Sequence, residues 1–287
     1  MSNTTPENAP QFIDIDAIFK AKNKQAYNLT PRFLLSYIKN IVHQDEINEA
    51  LRLNKDLQGL PFIDAILKQF GVKVFYEGLE NIDADKRWLV ASNHPLGGLD
   101  GMALMWVVGK VKKDIVFPVN DLLMNLSNIK ELFIPINKHG SNSSNLKIID
   151  DTFASDKGMI YFPAGLCSRK INGQIIDLEW KKTFISKCKK YNRAIIPCHV
   201  SGKNTNRFYN ISNVRNRLKI KANLEMFFLV DEMFKQKGKE IVITFGKPIP
   251  PSTFDDKMSD LQWAEKLKQF TYNPDFNKES DFTALKF

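Results

Sequence analysis

Apolar positions along this chain change their spacing at Gly71. Before it, Phe33, Leu34, Tyr37, Ile38 and Ile41 recur at steps of three and four, and Leu60-Pro61 opens a second such stretch with Phe62, Ile63, Ile66, Leu67 and Phe70. Both predict amphipathic helices, with Gly71 as the stop. After Gly71, short apolar runs take over at Arg87–Ser92, Ile115–Val119, Phe133–Ile136, Met159–Phe162, Ala194–Val200 and Ile241–Phe245. These predict strands. Helical stretches are expected between them at Met102–Val111, Leu122–Leu132, Leu146–Ala154 and Glu179–Lys190, and Trp263, Leu267 and Phe270 predict a last helix that packs back on the domain. The alternation implies an α/β fold, with a central mixed sheet flanked by helices and an N-terminal helical segment. Residues 1–11 are polar with two prolines and read as a disordered lead; residues 12–71 form the helical segment and 72–287 the α/β domain. No internal repeat or low-complexity tract interrupts it.

Composition narrows the class. A 43% hydrophobic content over 287 residues fills a substantial core. Lys plus Arg exceed Asp plus Glu by nine, which favours phosphate-bearing partners such as nucleic acid, anionic lipid or a phosphorylated carrier. No recognised nucleic-acid motif is present, so no nucleic-acid partner is expected. Cys167, Cys188 and Cys198 lack Cys-x-x-Cys spacing, and the N-terminus has no basic-then-apolar signal, which together predict a reducing cytoplasmic compartment. The strongest apolar run, Met102 to Val108, falls short of the roughly 20 residues of a spanning helix, so membrane contact is expected to be peripheral. His43 and His139 stand outside any cluster, and no metal site is expected.

The segment Ala91-Ser92-Asn93-His94-Pro95-Leu96-Gly97-Gly98-Leu99-Asp100-Gly101 joins an expected strand to an expected helix. Ligands in α/β folds gather at such strand ends. His94 titrates near neutrality and suits a general base, while Asp100 can orient the ring and stabilise the imidazolium; Gly97 and Gly98 let the chain double back. A purely structural alternative stands beside this, in which Asp100 is a helix N-cap and His94 a turn residue before proline.

Three further segments follow in order, and with them the chain resembles the glycerolipid acyltransferases, the lysophosphatidate acyltransferase-like enzymes, and among them the bacterial hemolysin-like branch. Asn93-His94 with five residues before Asp100 resembles the family's Asn-His-x-x-x-x-Asp. Phe117-Pro118-Val119-Asn120 through Phe133-Ile134-Pro135-Ile136-Asn137-Lys138 resembles the second block, with Asn120, Asn137 and Lys138 as weak binding candidates. Tyr161-Phe162-Pro163-Ala164-Gly165-Leu166-Cys167-Ser168-Arg169-Lys170 is similar to the third, Phe-Pro-Glu-Gly-Thr-Arg-Ser, with Ala164 for the glutamate and the basic residue displaced to Arg169. Ala194 through Gly202 resembles the apolar proline-bearing strand of the fourth.

The resemblance implies an O-acyltransferase that uses His94 and Asp100 to move a fatty acyl group from an acyl carrier protein or coenzyme A thioester to the hydroxyl of a lyso-lipid. No metal or redox cofactor is implied. Asn93, Gly97, Gly98, Gly165, Ser168, Arg169 and Lys170 are the expected substrate-binding residues; backbone N–H groups near Gly97, Gly98 or Gly165 are candidate oxyanion donors. Arg169 offers a bidentate fork for a carboxylate or phosphate, with an ion pair as the structural alternative. Lys181 and Lys182 read as a solvated face. The basic stretch Lys203, Arg207, Arg215, Arg217, Lys219 and Lys221 reads either as a headgroup or carrier surface or as an ordinary helix face. Cys167 is expected to be a small buried thiol, not a nucleophile. The N-terminal helices are expected to lie on an anionic membrane surface, peripherally, on the cytoplasmic side of the inner membrane. An amino-acid lyso-lipid is the preferred acceptor; lysophosphatidate, or a catalytically silent lipid-binding homologue, are the alternatives.

Overall fold

A computed structural model describes residues 13–119, 123–135, 143–220, 223–278 and 282. The disordered lead expected over residues 1–11, and Asn120, Asn137, Lys138, His139 and Lys221, lie outside them. Four short helices come first: α1 (Ile15–Lys22), α2 (Lys24–Leu29), α3 (Arg32–Ile41) and α4 (Gln44–Leu53). Then come α5 (Gly59–Phe70), β1 (Lys73–Glu77), β2 (Trp88–Ser92), α6 (Gly98–Val108), β3 (Ile115–Val119), β4 (Phe133–Pro135), α7 (Ser143–Ala154) and β5 (Gly158–Tyr161). The hairpin β6 (Arg169–Ile171) and β7 (Gln174–Ile176) precedes α8 (Thr183–Tyr191), β8 (Ala194–Val200), α9 (Asn206–Arg217), α10 (Leu229–Phe234), β9 (Glu240–Phe245) and α11 (Asp260–Thr271).

Seven strands form one sheet in the order β1-β9-β8-β2-β5-β3-β4, parallel at every pairing except β8 with β9. The expected mixed sheet is what forms. β2 lies between β8 and β5, and all five of its residues are buried because helices cover both faces. Val90 packs into the cluster with α5 and α6, while Leu89 and Ala91 point into the opposite cluster with Phe184 of α8 and Trp263 and Leu267 of α11. Gly158 on β5 is required by crowding, since a Cβ there would stand 2.2 Å from the Trp88 ring.

The amphipathic stripe of α5 is buried as its spacing predicts, and Gly71 closes the helix in the left-handed conformation. Phe62, Ile63 and Ile66 join the same cluster as Val90 and α6, so the boundary expected at residue 71 divides one hydrophobic core. α3 differs. Of its apolar residues only Leu35 is buried, and Phe33 is 76% exposed with Leu34 and Tyr37 exposed beside it.

Three of four departures from the periodicity have local causes. The helix expected over Leu122–Leu132 is a pair of 3-10 turns, Leu123–Asn125 and Ser127–Leu132, where the Asn128 amide is drawn off to the carbonyls of Asn54 and Leu57. The helix expected from Glu179 starts at Thr183, because the Lys181 N–H is taken by the Pro163 carbonyl and the Trp180 indole by Asp177. The helix expected from Met102 begins at Gly98. The β6–β7 hairpin turns on Asn172-Gly173, both at positive φ, and that dipeptide is itself a hairpin signal.

One buried cation staples the layers. Arg193, with no exposed surface, donates to the carbonyls of Phe153 (2.7 Å), Lys157 (2.7 Å), Thr152 (3.1 Å), Trp88 (3.1 Å) and Ser155. The guanidinium thus caps the end of α7 and ties it to the start of β2. Burial pulls its pKa down to about 10, still charged at neutral pH. Replacing Arg193 with Met is expected to lower unfolding free energy by about 3–5 kcal/mol, because several buried carbonyls lose their donors at once. Urea denaturation followed by tryptophan fluorescence measures it.

Candidate active site

β2 ends at Ser92, and the next side chain extends its pairing. The Asn93 amide donates to the Val200 carbonyl (2.9 Å) and accepts from the Val200 N–H (2.7 Å), copying a strand partner to β8 after the strand has stopped. Asn93 is therefore a buried anchor for the loop that follows. At the other end of that loop, Gly97 takes φ +79 at the N-cap of α6, and a Cβ there would stand 3.3 to 3.4 Å from Leu229 and the Cys167 sulfur.

Between these anchors His94 and Asp100 meet. His94 Nδ1 lies 3.0 Å from Asp100 Oδ1 and 3.1 Å from Oδ2. The Asp100 carboxylate is fully buried and also accepts the N–H groups of Leu96 (2.7 Å) and Gly101 (2.8 Å). It stands at the third position of α6, so it is not the N-cap. Instead it reaches back over the helix start, as an acidic residue in a first turn can, and holds the loop and the imidazole together. With a carboxylate as acceptor, Nδ1 carries the proton and Nε2 is the nitrogen left to take one. Phe162 stacks on the imidazole at 4.0 Å between centroids and 20° between planes. Burial pulls the His94 pKa down, but attraction to Asp100, with smaller contributions from the Cys167 sulfur, outweighs it and holds the ring well above its usual 6.5.

The main chain of His94 is clamped by a residue that sequence reasoning missed. Asp177, buried just after β7, accepts from the His94 N–H (3.2 Å) and the Ser168 hydroxyl (2.6 Å) through Oδ1, and from the Trp180 indole (2.9 Å) through Oδ2. The Ser168 N–H donates in turn to the His94 carbonyl (2.8 Å). A closed ring of hydrogen bonds results. Burial pushes the Asp177 carboxyl up, opposed by these donors. No local motif marks Asp177.

Several expected binding residues are occupied elsewhere. Arg169, 4% exposed, donates to Glu225 (2.8 Å) and to the Cys167 carbonyl (2.5 Å), with its guanidinium 5.2 Å from the Phe208 ring centre. Glu225 is fully buried and also pairs with Arg215 (2.8 Å). Arg169 is thus part of an internal Arg–Glu–Arg group and not a free fork for substrate. Ser168 spends its hydroxyl on Asp177. The Gly165 N–H closes the turn Phe162-Pro163-Ala164-Gly165 onto the Phe162 carbonyl (3.0 Å), which removes it as an oxyanion donor. Lys170 stays near the surface beside Asn206. Lys181 and Lys182 are exposed, Lys181 paired with Glu179. Gly97 and Gly98 remain where the resemblance puts them, at the N-terminus of α6 beside the His94–Asp100 pair. Cys167 is buried, as are Cys188 and Cys198. No group of His, Cys, Asp and Glu among the described residues has the geometry of a metal site.

The sequence profile of the family described as Acyltransferase matches residues 18–279. A lyso-glycine lipid O-acyltransferase of Bacteroides thetaiotaomicron is 47% identical over 262 residues, covering 91% of this chain and 96% of the relative. A second, from Phocaeicola vulgatus, is 46% identical over 262 residues, 91% and 94% of the two chains. Among solved structures, the 1-acyl-sn-glycerophosphate (LPA) acyltransferase of Thermotoga maritima aligns with a TM-score of 0.44 at 16% identity, over 83% of this chain and 90% of that one.

NMR titration of the His94 imidazole is expected to give a midpoint above 6.5, which Asp100→Asn brings down by removing the carboxylate charge. Asp177→Asn should lower the midpoint less than Asp100→Asn does, while speeding amide exchange at His94 and Ser168, because it chiefly loosens main chain.

Proposed function

The chain belongs to the glycerolipid acyltransferase family, and from that premise we propose that it moves a fatty acyl group from an acyl thioester onto the hydroxyl of a lyso-lipid, a lyso-glycine lipid first among acceptors. As a member of the family it is an acyltransferase. The observation that carries the acceptor is the 47% identity to a relative named for lyso-glycine lipid, along 96% of that relative's length. Arg169 no longer supports a carboxylated acceptor, since Glu225 already holds it.

In the proposed reaction the acceptor hydroxyl approaches Nε2 of His94. As its oxygen attacks the thioester carbonyl the proton passes to Nε2, and Asp100 stabilises the imidazolium through Nδ1. The tetrahedral intermediate collapses, the carbon–sulfur bond breaks, and the thiol of acyl carrier protein or coenzyme A leaves with the proton from His94. Backbone N–H groups at Gly97 and Gly98, where a helix start leaves donors without intrahelical partners, are the donors we assign to the oxyanion. No metal or redox group has a part in these steps.

For attachment we propose that α1 to α3 rest peripherally on the cytoplasmic face of the inner membrane. No helix among the described residues is long and apolar enough to cross a bilayer. Leu29, 84% exposed, and Phe33 form an outward apolar edge, and residues 17–44 contain Lys20, Lys22, Lys24, Arg32 and Lys39 with no acidic residue. Such a surface suits anionic lipid.

His94→Ala is expected to lower turnover by about a hundred- to ten-thousand-fold with the fold intact, assayed with labelled acyl thioester and lyso-glycine lipid. Normal turnover removes His94 from the mechanism. Wild-type kcat/KM should fall on the acid side with a midpoint above 6.5, because only the neutral ring accepts a proton and Asp100 favours the charged one. In competition at fixed thioester, lyso-glycine lipid should outcompete lysophosphatidate; a tenfold win for lysophosphatidate, about 1.4 kcal/mol in transition-state binding, reverses the acceptor assignment.

A further inference from the structure

α9 has two unlike faces. Inward, Phe208, Tyr209 and Ser212 are buried, and the two aromatic rings cluster with Cys167, the neighbour of Ser168, whose N–H donates to the His94 carbonyl. Outward, Arg207, Ile211, Val214 and Leu218 recur at steps of four, three and four and line up along the helix. Val214 and Leu218 are more than half exposed, as is Phe227 on the turn that follows. Large apolar side chains on this outer face have no covering layer among the described residues.

Two observations say what covers them. The first is charge: residues 203–224 contain Lys203, Arg207, Arg215, Arg217, Lys219 and Lys221 and no acidic residue. The first acid after them, Glu225, is buried between Arg169 and Arg215, so it neutralises inward and leaves Arg217 and Lys219 at the surface with no ion pair among the described residues. The second is continuity. The Arg207 guanidinium donates to the Tyr37 hydroxyl (3.0 Å), which places the start of the α9 stripe against the exposed Phe33–Tyr37 edge of α3, 170 residues away in sequence.

We propose that the outer face of α9, with Phe227, is a second membrane-docking element, which seats on anionic bilayer together with α3. One helix then touches lipid on one side and packs beside the catalytic histidine on the other. The apolar stripe enters the acyl boundary while Arg217 and Lys219 meet lipid phosphates. The inference rests on the lyso-lipid acceptor of the proposed function, but its test separates the two.

Vesicles of phosphatidylcholine and phosphatidylglycerol are floated with wild type and with Val214→Asp/Leu218→Asp, and acyl transfer is measured with acceptor either in the vesicles or dispersed in detergent. The double variant is expected to bind vesicles at least about tenfold more weakly and to lose transfer to vesicle-borne acceptor in proportion. Its transfer to detergent-dispersed acceptor should stay at the wild-type level, which shows the folded catalytic site and the acceptor assignment intact. Arg217→Gln/Lys219→Gln should weaken binding to the anionic vesicles and leave the weaker binding to pure phosphatidylcholine unchanged. Wild-type vesicle binding by both double variants overturns the proposal. So does a wild-type dimer in sedimentation that Val214→Asp/Leu218→Asp dissolves while vesicle binding persists, because the face is then a contact between copies of this chain.

Discussion

A charge-bearing histidine inside an α/β fold needs a fixed partner, and the structure is arranged around that need. Asp100 has no exposed surface, and its two oxygens are shared among His94 Nδ1 and two backbone N–H groups. A buried carboxylate without such donors would be left with unsatisfied polar atoms. The hydrogen bonding of Asp100 and the position of His94 are therefore one constraint. The α6 start, the positive φ of Gly97 and the return of the chain through Leu96 follow from bringing those groups together.

The loop is held from three sides, by two side chains acting as main chain and by one backbone N–H. Asn93 extends β2 onto β8, Asp177 takes the His94 N–H, and Ser168 takes the His94 carbonyl. Each satisfies a polar group that the end of a strand leaves open, which a buried site cannot leave to water. Two residues expected to touch substrate thus hold the loop instead, Asn93 through Val200 and Ser168 through the His94 carbonyl. Their effect on chemistry is through geometry, where small displacements of a base matter.

Buried and exposed charge divide the work elsewhere. Arg193 and the Arg169–Glu225–Arg215 group lock α7 to β2 and the α9 region to the loop beside His94. The surplus cations, by contrast, gather on the outer sides of α3 and α9 next to exposed aromatic and aliphatic residues. Internal ion groups give rigidity where the site is built, while Arg217 and Lys219, with no ion pair among the described residues, supply the attraction that the proposed docking requires.

The strands were legible because they are central: β2, β3 and β8 lie in buried sheet, and continuous apolar runs of strand length mark them within a residue. The spacing from His94 to Asp100 was legible because both belong to one loop and one helix turn. β1 was not, since an edge strand with an exposed face has a mixed pattern, and the hairpin was announced only by Asn172-Gly173. What tertiary structure alone decided involves partners far apart in sequence: Arg169 with Glu225 at 56 residues, His94 with Asp177 at 83, Asn93 with Val200 at 107, Arg207 with Tyr37 at 170. Periodicity reports whether a position faces in or out along its own element. It carries no information on which distant element supplies the opposing charge, so Arg169 read equally as ligand or ion pair until Glu225 was beside it. The apolar face of α3 makes the same point in reverse: its amphipathic spacing was plain, but only the fold shows that Phe33, Leu34 and Tyr37 stay exposed among the described residues.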